Sequence, residues 1–164
     1  MAKTEKFQLH KKYKNGGQVF IHPLVDKKKS DYKAILNIAN QFAKAGRTVK
    51  LTPVVHFKSE EYRQIYGALA GTKYDWKCPD LQIDDLFYEY EGFMPPFRSK
   101  KLSRMLAHGA KQSSLLIING NKGASDTYVR RYVNSRLKQS VDLDEVWIYE
   151  KGAIRLLFKK QQGD

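Results

Sequence analysis

The chain is poor in cysteine, and this scarcity excludes two kinds of site. Cys78 is the single cysteine among 164 residues, so the chain forms neither an internal disulfide bond nor a cysteine-based zinc site. The four histidines, His10, His22, His56 and His108, are scattered, with no two at the spacing of metal ligands. A lone cysteine fits a reducing compartment, and we therefore expect a cytoplasmic protein.

Long apolar segments are absent as well. No apolar run approaches the roughly 20 residues needed to cross a bilayer, and the N-terminal sequence MAKTEKFQLHKKYKNGG lacks the apolar core of a secretory signal. The length is typical of one domain with a real core. We expect a flexible basic arm over residues 1–16 and a single α/β domain over residues 17–164.

Acidic residues are few compared with basic ones. The chain carries 30 Lys and Arg against 17 Asp and Glu, a formal charge of +13. Such a charge favours an anionic partner, with nucleic acid ahead of a membrane surface. Ten tyrosines and two tryptophans offer faces on which bases could stack, although most aromatic side chains in a small α/β domain belong to the core.

The apolar patterns predict a mixed central sheet flanked by helices on both faces. Leu102, Met105 and Leu106 form the inward stripe of one helix, and the apolar run 115–118 is typical of a strand buried on both faces. The predicted elements are a strand at 18–25, a helix from Ser30 to Gly46, a strand at 49–55, a helix from Ser59, a hairpin at 80–91, a helix at 98–112, a strand at 115–118, a helix from Ser125 and a closing hairpin at 145–158.

The predicted hairpin at residues 80–91 gathers carboxylates. Asp tolerates the left-handed backbone of a tight turn, so the turn is expected at residues 84–85. Asp80 then faces Glu89, and Glu91 lies on the same side two residues further on. All-oxygen ligands of this kind suit Mg²⁺, Mn²⁺ or Ca²⁺. The alternative is a solvated acidic face without a bound ion.

A carboxylate-bound Mg²⁺ or Mn²⁺ ion can support phosphodiester cleavage. In this hypothesis Asp80 and Glu89 share an ion, Glu91 binds a second ion or acts as a base, and Glu61 or Glu60 adds a further carboxylate. Lys111 and Gln112 are further candidate catalytic residues, because they are expected to lie nearest the sheet in the helix at 98–112. The predicted phosphate contacts, which position a substrate without reading its sequence, are Lys101, Arg104, His108, Lys111, Arg130 and Arg131. A lysine-rich helix face is also compatible with simple solvation.

The stretch Pro79-Asp80 followed by Glu89-Tyr90-Glu91 resembles the motif of the PD-(D/E)XK nuclease superfamily. The resemblance is closest to the C-terminal nuclease domains of contact-dependent growth inhibition (CdiA-type) toxins. It implies a restriction-endonuclease-like core, a Mg²⁺ or Mn²⁺ cofactor and, for a toxin, a cognate immunity protein. The corresponding pieces are residues 45–51, 79–91, 111–112, 115–118 and 125–137, and the order of elements matches over residues 31–159.

One position departs from the motif, because Glu91 stands where the superfamily has lysine. Some restriction enzymes with Glu-x-Glu at this place remain active with metal, and Lys111 is a candidate substitute. The leading hypothesis is thus a metal-dependent endonuclease acting on DNA or RNA. The alternatives are a non-catalytic nucleic-acid-binding protein with a degenerate nuclease fold and a basic structural protein of a bacterial mobile element, since the chain also resembles small proteins of such elements.

Overall fold

The computed structural model describes residues 6–92, 99–120, 125–139 and 142–161, without the side chains of residues 99–101. The chain forms two compact units, one ending at Phe87 and the other beginning at Tyr88. Both combine helices with parallel and antiparallel strands. The predicted class, an α/β protein with a mixed sheet flanked by helices, is confirmed. The domain count stays a prediction.

The first unit is built around a β-α-β crossover. Its elements are β1 (Gln8–Lys12), β2 (Gln18–Ile21), α1 (Tyr32–Lys44), β3 (Thr48–Leu51), α2 (Glu60–Tyr66), a 3₁₀ turn (Gly67–Leu69) and β4 (Leu81–Ile83). Strand β2 pairs in parallel with β3, and β1 and β4 add antiparallel neighbours to this pair. A parallel pair needs a crossover connection, and α1 provides it by packing against β2 and β3.

Helix α1 follows from an apolar stripe at helical spacing. Ile35, Ile38, Ala39, Phe42 and Ala43 are buried, as the 3.6-residue period predicts. The helix begins one residue later than expected, because Asp31 rather than Ser30 occupies the N-cap position and makes no side-chain capping bond.

The end of α1 fits closely against the start of β2. A β-carbon on Gly17 would lie 1.7 Å from the carbonyl oxygen of Ala43, so only glycine allows this contact between two backbones.

The N-terminal prediction is wrong for part of residues 1–16. Instead of a flexible arm, Gln8–Lys12 forms β1, which pairs with β2 through a register shift between Leu9 and Lys11. All five side chains of β1 are exposed, so the strand buries no alternating apolar face that the sequence could reveal. Residues 1–5 lie outside the described part of the chain.

The second unit has a parallel centre and an antiparallel edge. Its elements are β5 (Leu86–Glu91), which begins just before the boundary, α3 (Ser99–Gln112), β6 (Leu115–Asn119), α4 (Asp126–Lys138), β7 (Glu145–Glu150) and β8 (Ala153–Lys159). Strand β6 pairs in parallel with β5 and β7, and β8 returns antiparallel to β7. Leu116, Ile117 and Ile118 are almost fully buried, which confirms the predicted inner strand.

Helices α3 and α4 share one core with the strands of the second unit. Leu102, Met105 and Leu106 of α3 pack there with Val129 and Val133 of α4, as predicted. The side-chain oxygen of Ser125 accepts a hydrogen bond from the N–H of Tyr128 and caps α4, and Ser59 caps α2 in the same way. Among the residues described, no helix has the length and apolar character of a membrane span.

Candidate functional site

A cavity of about 100 Å³ lies at the carboxyl ends of β2 and β3 in the first unit. Carboxyl ends of parallel strands meet at one edge of a sheet, where α/β proteins commonly bind ligands. Asp26, Lys29, Tyr32, Thr52 and Asp80 supply the polar groups of its wall, and the remainder is mostly apolar. Asp80, the first residue of the predicted site, is therefore a cavity residue.

The backbone on either side of Asp80 is fixed by hydrogen bonds. The carbonyl oxygen of Pro79 accepts from the hydroxyl of Thr52 and, at 3.1 Å, from that of Tyr66. The carbonyl oxygen of Asp80 accepts from the N–H of Thr52 at 3.2 Å. Because Thr52 and Tyr66 are buried, these contacts position Asp80 rigidly at the cavity wall.

Lys29 is a member of this cavity that the sequence analysis missed. Its Nζ lies 3.9 Å from Oδ1 of Asp80, whose side chain is only 15% exposed, whereas that of Lys29 is 46% exposed. An ionised carboxylate removed from water needs compensating charge, and Lys29 supplies part of it. The available signal was the run Asp26-Lys27-Lys28-Lys29, directly after a strand that enters a crossover.

The other two carboxylates of the predicted cluster belong to the second unit, whereas Asp80 belongs to the first. Glu89 is 9% exposed, and the side chain of Glu91 is 13% exposed. The strands on either side of residues 84–85 form as predicted, and Asp84 has a φ of 53°. The shared ion between Asp80 and Glu89 stays a prediction. Within the described ranges, no three His, Cys, Asp or Glu side chains come together as metal ligands.

Glu91 makes a contact with α3 that the sequence did not predict. Oε1 of Glu91 lies 2.8 Å from Nδ1 of His108, and the His108 side chain is 65% exposed. A carboxylate only accepts hydrogen bonds, so Nδ1 carries the proton and donates it. This tautomer leaves the lone pair of a neutral ring on Nε2.

The predicted basic residues lie on exposed helix faces. Arg104, His108 and Lys111 are exposed on α3, and Arg130 and Arg131 are exposed on α4. Lys101 lies in α3, but its side chain falls outside the described part, and Gln112 is half-buried at the end of the helix. The two arginines of α4 line a shallow depression together with Thr127, Asn134, Ser135 and Lys138.

Glu61 and Glu60 lie at the start of α2. Oε1 of Glu61 is 4.0 Å from Nζ of Lys6, and both side chains are more than a third exposed. Such a pair contributes little to stability. The role of Glu61 as a metal ligand stays a prediction.

Comparisons with known proteins give one structural similarity. No protein family model matches the chain, and no curated protein is similar to it in sequence. The fold is similar to that of a chain in a CdiA-CT/CdiI toxin and immunity complex from Burkholderia pseudomallei, with a TM-score of 0.49 and 20% identity. The alignment covers 84% of this chain and 92% of that chain.

Proposed function

We propose that this protein is a metal-dependent nuclease that hydrolyses phosphodiester bonds in DNA or RNA. The observation that carries the proposal is the placement of Asp80, a largely buried carboxylate in a cavity of a chain with a net charge of +13. A carboxylate repels a polyanion, so a protein that only bound nucleic acid would gain nothing from it. Asp80 becomes useful when it binds a cation that neutralises a phosphate.

In this proposal Asp80 binds Mg²⁺ or Mn²⁺, because carboxylate oxygens suit these hard cations, and Glu89 keeps its predicted role as a metal ligand. When bound, the ion would polarise the phosphate and lower the pKa of a water molecule. Arg104, Lys111 and the two arginines of α4 contact the nucleic-acid backbone, since phosphate contacts need exposed cations and no fixed sequence.

The contact between Glu91 and His108 supports a substitute for the lysine of the superfamily motif. Glu91 stands at that position and orients the imidazole ring through Nδ1. A neutral His108 then presents the lone pair on Nε2 as a proton acceptor. We assign to His108 the role of orienting or deprotonating the attacking water, with Glu91 as its positioning residue.

The test is cleavage of total tRNA and of plasmid DNA with Mg²⁺ or Mn²⁺, and with EDTA as the metal-free control. Asp80→Asn and Glu89→Gln are expected to reduce the rate by at least about 100-fold. Asp85→Asn, the same chemical change at an exposed turn carboxylate, is the matched control and should retain the rate. Wild-type protein that cleaves neither substrate overturns the proposal.

A second function is favoured by a specific observation. Lys29 faces Asp80, and His108 donates a hydrogen bond to Glu91, so protein donors already accompany two of the proposed catalytic carboxylates. A non-catalytic nucleic-acid-binding protein would show this arrangement. It predicts binding that weakens steeply with salt, through counterion release, together with no cleavage under any metal condition.

The motif resemblance to growth inhibition toxins extends the proposal to a partner. A nuclease toxin has to be neutralised in the cell that makes it, so we expect a cognate immunity protein. Expression of wild-type protein without such a partner should arrest growth, whereas expression of Asp80→Asn should not. Equal growth of the two strains contradicts the toxin role.

A further inference from the structure

An exposed aromatic cluster lies beside the loop that forms the Asp80 cavity. His56 and Phe57 stack with ring centroids 4.8 Å apart, and Phe57 contacts Trp76 at 5.4 Å. Trp76 is 67% exposed and Phe57 is 39% exposed. Large aromatic side chains in so small a domain are normally buried, so the exposure of this cluster indicates a binding surface. We name it the stacking platform (His56, Phe57 and Trp76).

The platform is held in place by its own loops. The N–H of Lys58 donates to Nδ1 of His56 at 3.1 Å. On the other side, Trp76 has a φ of 74° and lies in a turn closed by the N–H of Lys77 and the carbonyl of Tyr74. Glycine or asparagine is preferred in such a conformation, and bulky residues held there cluster at functional sites.

Positive charge accompanies the aromatic rings. Nζ of Lys58 lies 5.7 Å from the ring centroid of Phe57, and Lys73 precedes Trp76 in the same turn region. Aromatic faces next to cations are the combination that binds unpaired nucleotides, because every base has a face to stack and every linkage has a phosphate. A duplex hides its base faces and cannot use the platform.

We propose that the stacking platform binds an unpaired base of a single-stranded or locally opened nucleic acid, with Trp76 as the stacking face and Lys58 as a phosphate contact. This inference rests on the proposed nuclease function and names the form of its substrate. Trp76 and Asp80 are only four positions apart in the sequence, so their α-carbons lie within roughly 14 Å. When a base stacks on Trp76, a linkage of the same nucleic-acid strand therefore lies near Asp80, a few nucleotides away from that base.

The test is equilibrium binding of a labelled pyrimidine oligonucleotide and of its duplex, in EDTA, so that no cleavage is needed. Trp76→Ala should raise the Kd for the single strand by roughly 5- to 140-fold, the range of one lost base stack. It should leave duplex binding within about twofold. Trp76→Phe should retain most affinity, and Leu9→Ala, an exposed apolar control on β1, should retain all of it.

Trp76→Gly controls for a folding defect in Trp76→Ala, since glycine readily adopts the positive φ found at this position. Unchanged single-strand affinity in Trp76→Ala and Trp76→Gly overturns the inference, as does an equal loss on the duplex. A wild-type dimer that Trp76→Ala dissociates in sedimentation assigns the platform to a second copy instead. Failure of metal-dependent cleavage with the expected binding results removes the nuclease proposal and leaves the platform standing.

Discussion

Replacing Tyr66 with phenylalanine tests how firmly the backbone at Asp80 is held. The Tyr66 side chain is fully buried, and its hydroxyl lies 2.7 Å from the carbonyl oxygen of Pro53 and 3.1 Å from that of Pro79. A hydroxyl has one proton, so Tyr66 donates mainly to the nearer oxygen, that of Pro53. The substitution keeps the ring and its packing, and it leaves no cavity.

The expected loss of stability follows from the carbonyl oxygens that lose a donor. A buried carbonyl that loses its donor costs about 1–3 kcal/mol, which lowers the Tm of a domain of this size by roughly 2–12 °C. Urea unfolding at an unchanged m-value measures this loss. Tyr13→Phe, at a half-buried tyrosine near the N-terminus, is the control and should change stability by less than about 0.5 kcal/mol.

Thr52→Val sharpens the test, because Thr52 and Tyr66 donate to the same carbonyl of Pro79. In Thr52→Val the Tyr66 hydroxyl, which otherwise donates mainly to Pro53, can turn to the Pro79 oxygen and compensate for the lost donor. The double variant removes both hydroxyls and with them this compensation. The combined loss should therefore exceed the sum of the single losses by at least about 0.5 kcal/mol. Strict additivity, or a Tyr66→Phe variant as stable as wild type, refutes the shared-acceptor argument.

Four further outcomes are expected. Gly17→Ala should destabilise by about 3 kcal/mol or more, because its β-carbon would collide with the Ala43 carbonyl. Gly67→Ala, where nothing lies within 4 Å, should be neutral or stabilising by chemical denaturation. Burial lowers the pKa of His22, so the unfolded chain binds a proton at a higher pH than the folded chain does. The free energy of unfolding should therefore fall as the pH drops below about 6.5. His22→Asn should reduce this dependence of stability on pH. Burial raises the pKa of Tyr62 to about 12, so stability should fall by about 2–3 kcal/mol between roughly pH 10 and 12, and Tyr62→Phe should abolish that fall.

The sequence was sufficient at two helix starts and one turn, where local chemistry decided the structure. Ser59 and Ser125 cap the helices they were expected to cap, because a short hydroxyl satisfies N–H groups of the first turn whatever surrounds it. Asp84 adopts the left-handed backbone at the expected turn and is further held by Arg47, whose Nε donates to its carboxylate at 2.6 Å. Such signals lie within a few residues of their effect.

The sequence was insufficient where chain-distant residues meet. Lys29 reaches Asp80 only because a crossover brings the ends of β2 and β3 together, and no spacing rule connects residues 51 positions apart. The general preference of aromatic side chains for the core does not single out Trp76, which the fold leaves two-thirds exposed. The pairing of Asp80 with Glu89 depends on strand register and stays a prediction.

Strand β1 has a consequence for the behaviour of the protein at high concentration. Within the residues described, β1 pairs only with β2, and its five side chains face solvent, Leu9 among them. An open strand edge is a template for fibre growth. The register shift interrupts that template with a kink, and the charges of Lys11 and Lys12 repel a second copy of the same edge. The basic N-terminal strand thus opposes edge-to-edge self-assembly, and neutralising its two lysines should increase aggregation of the protein through this edge.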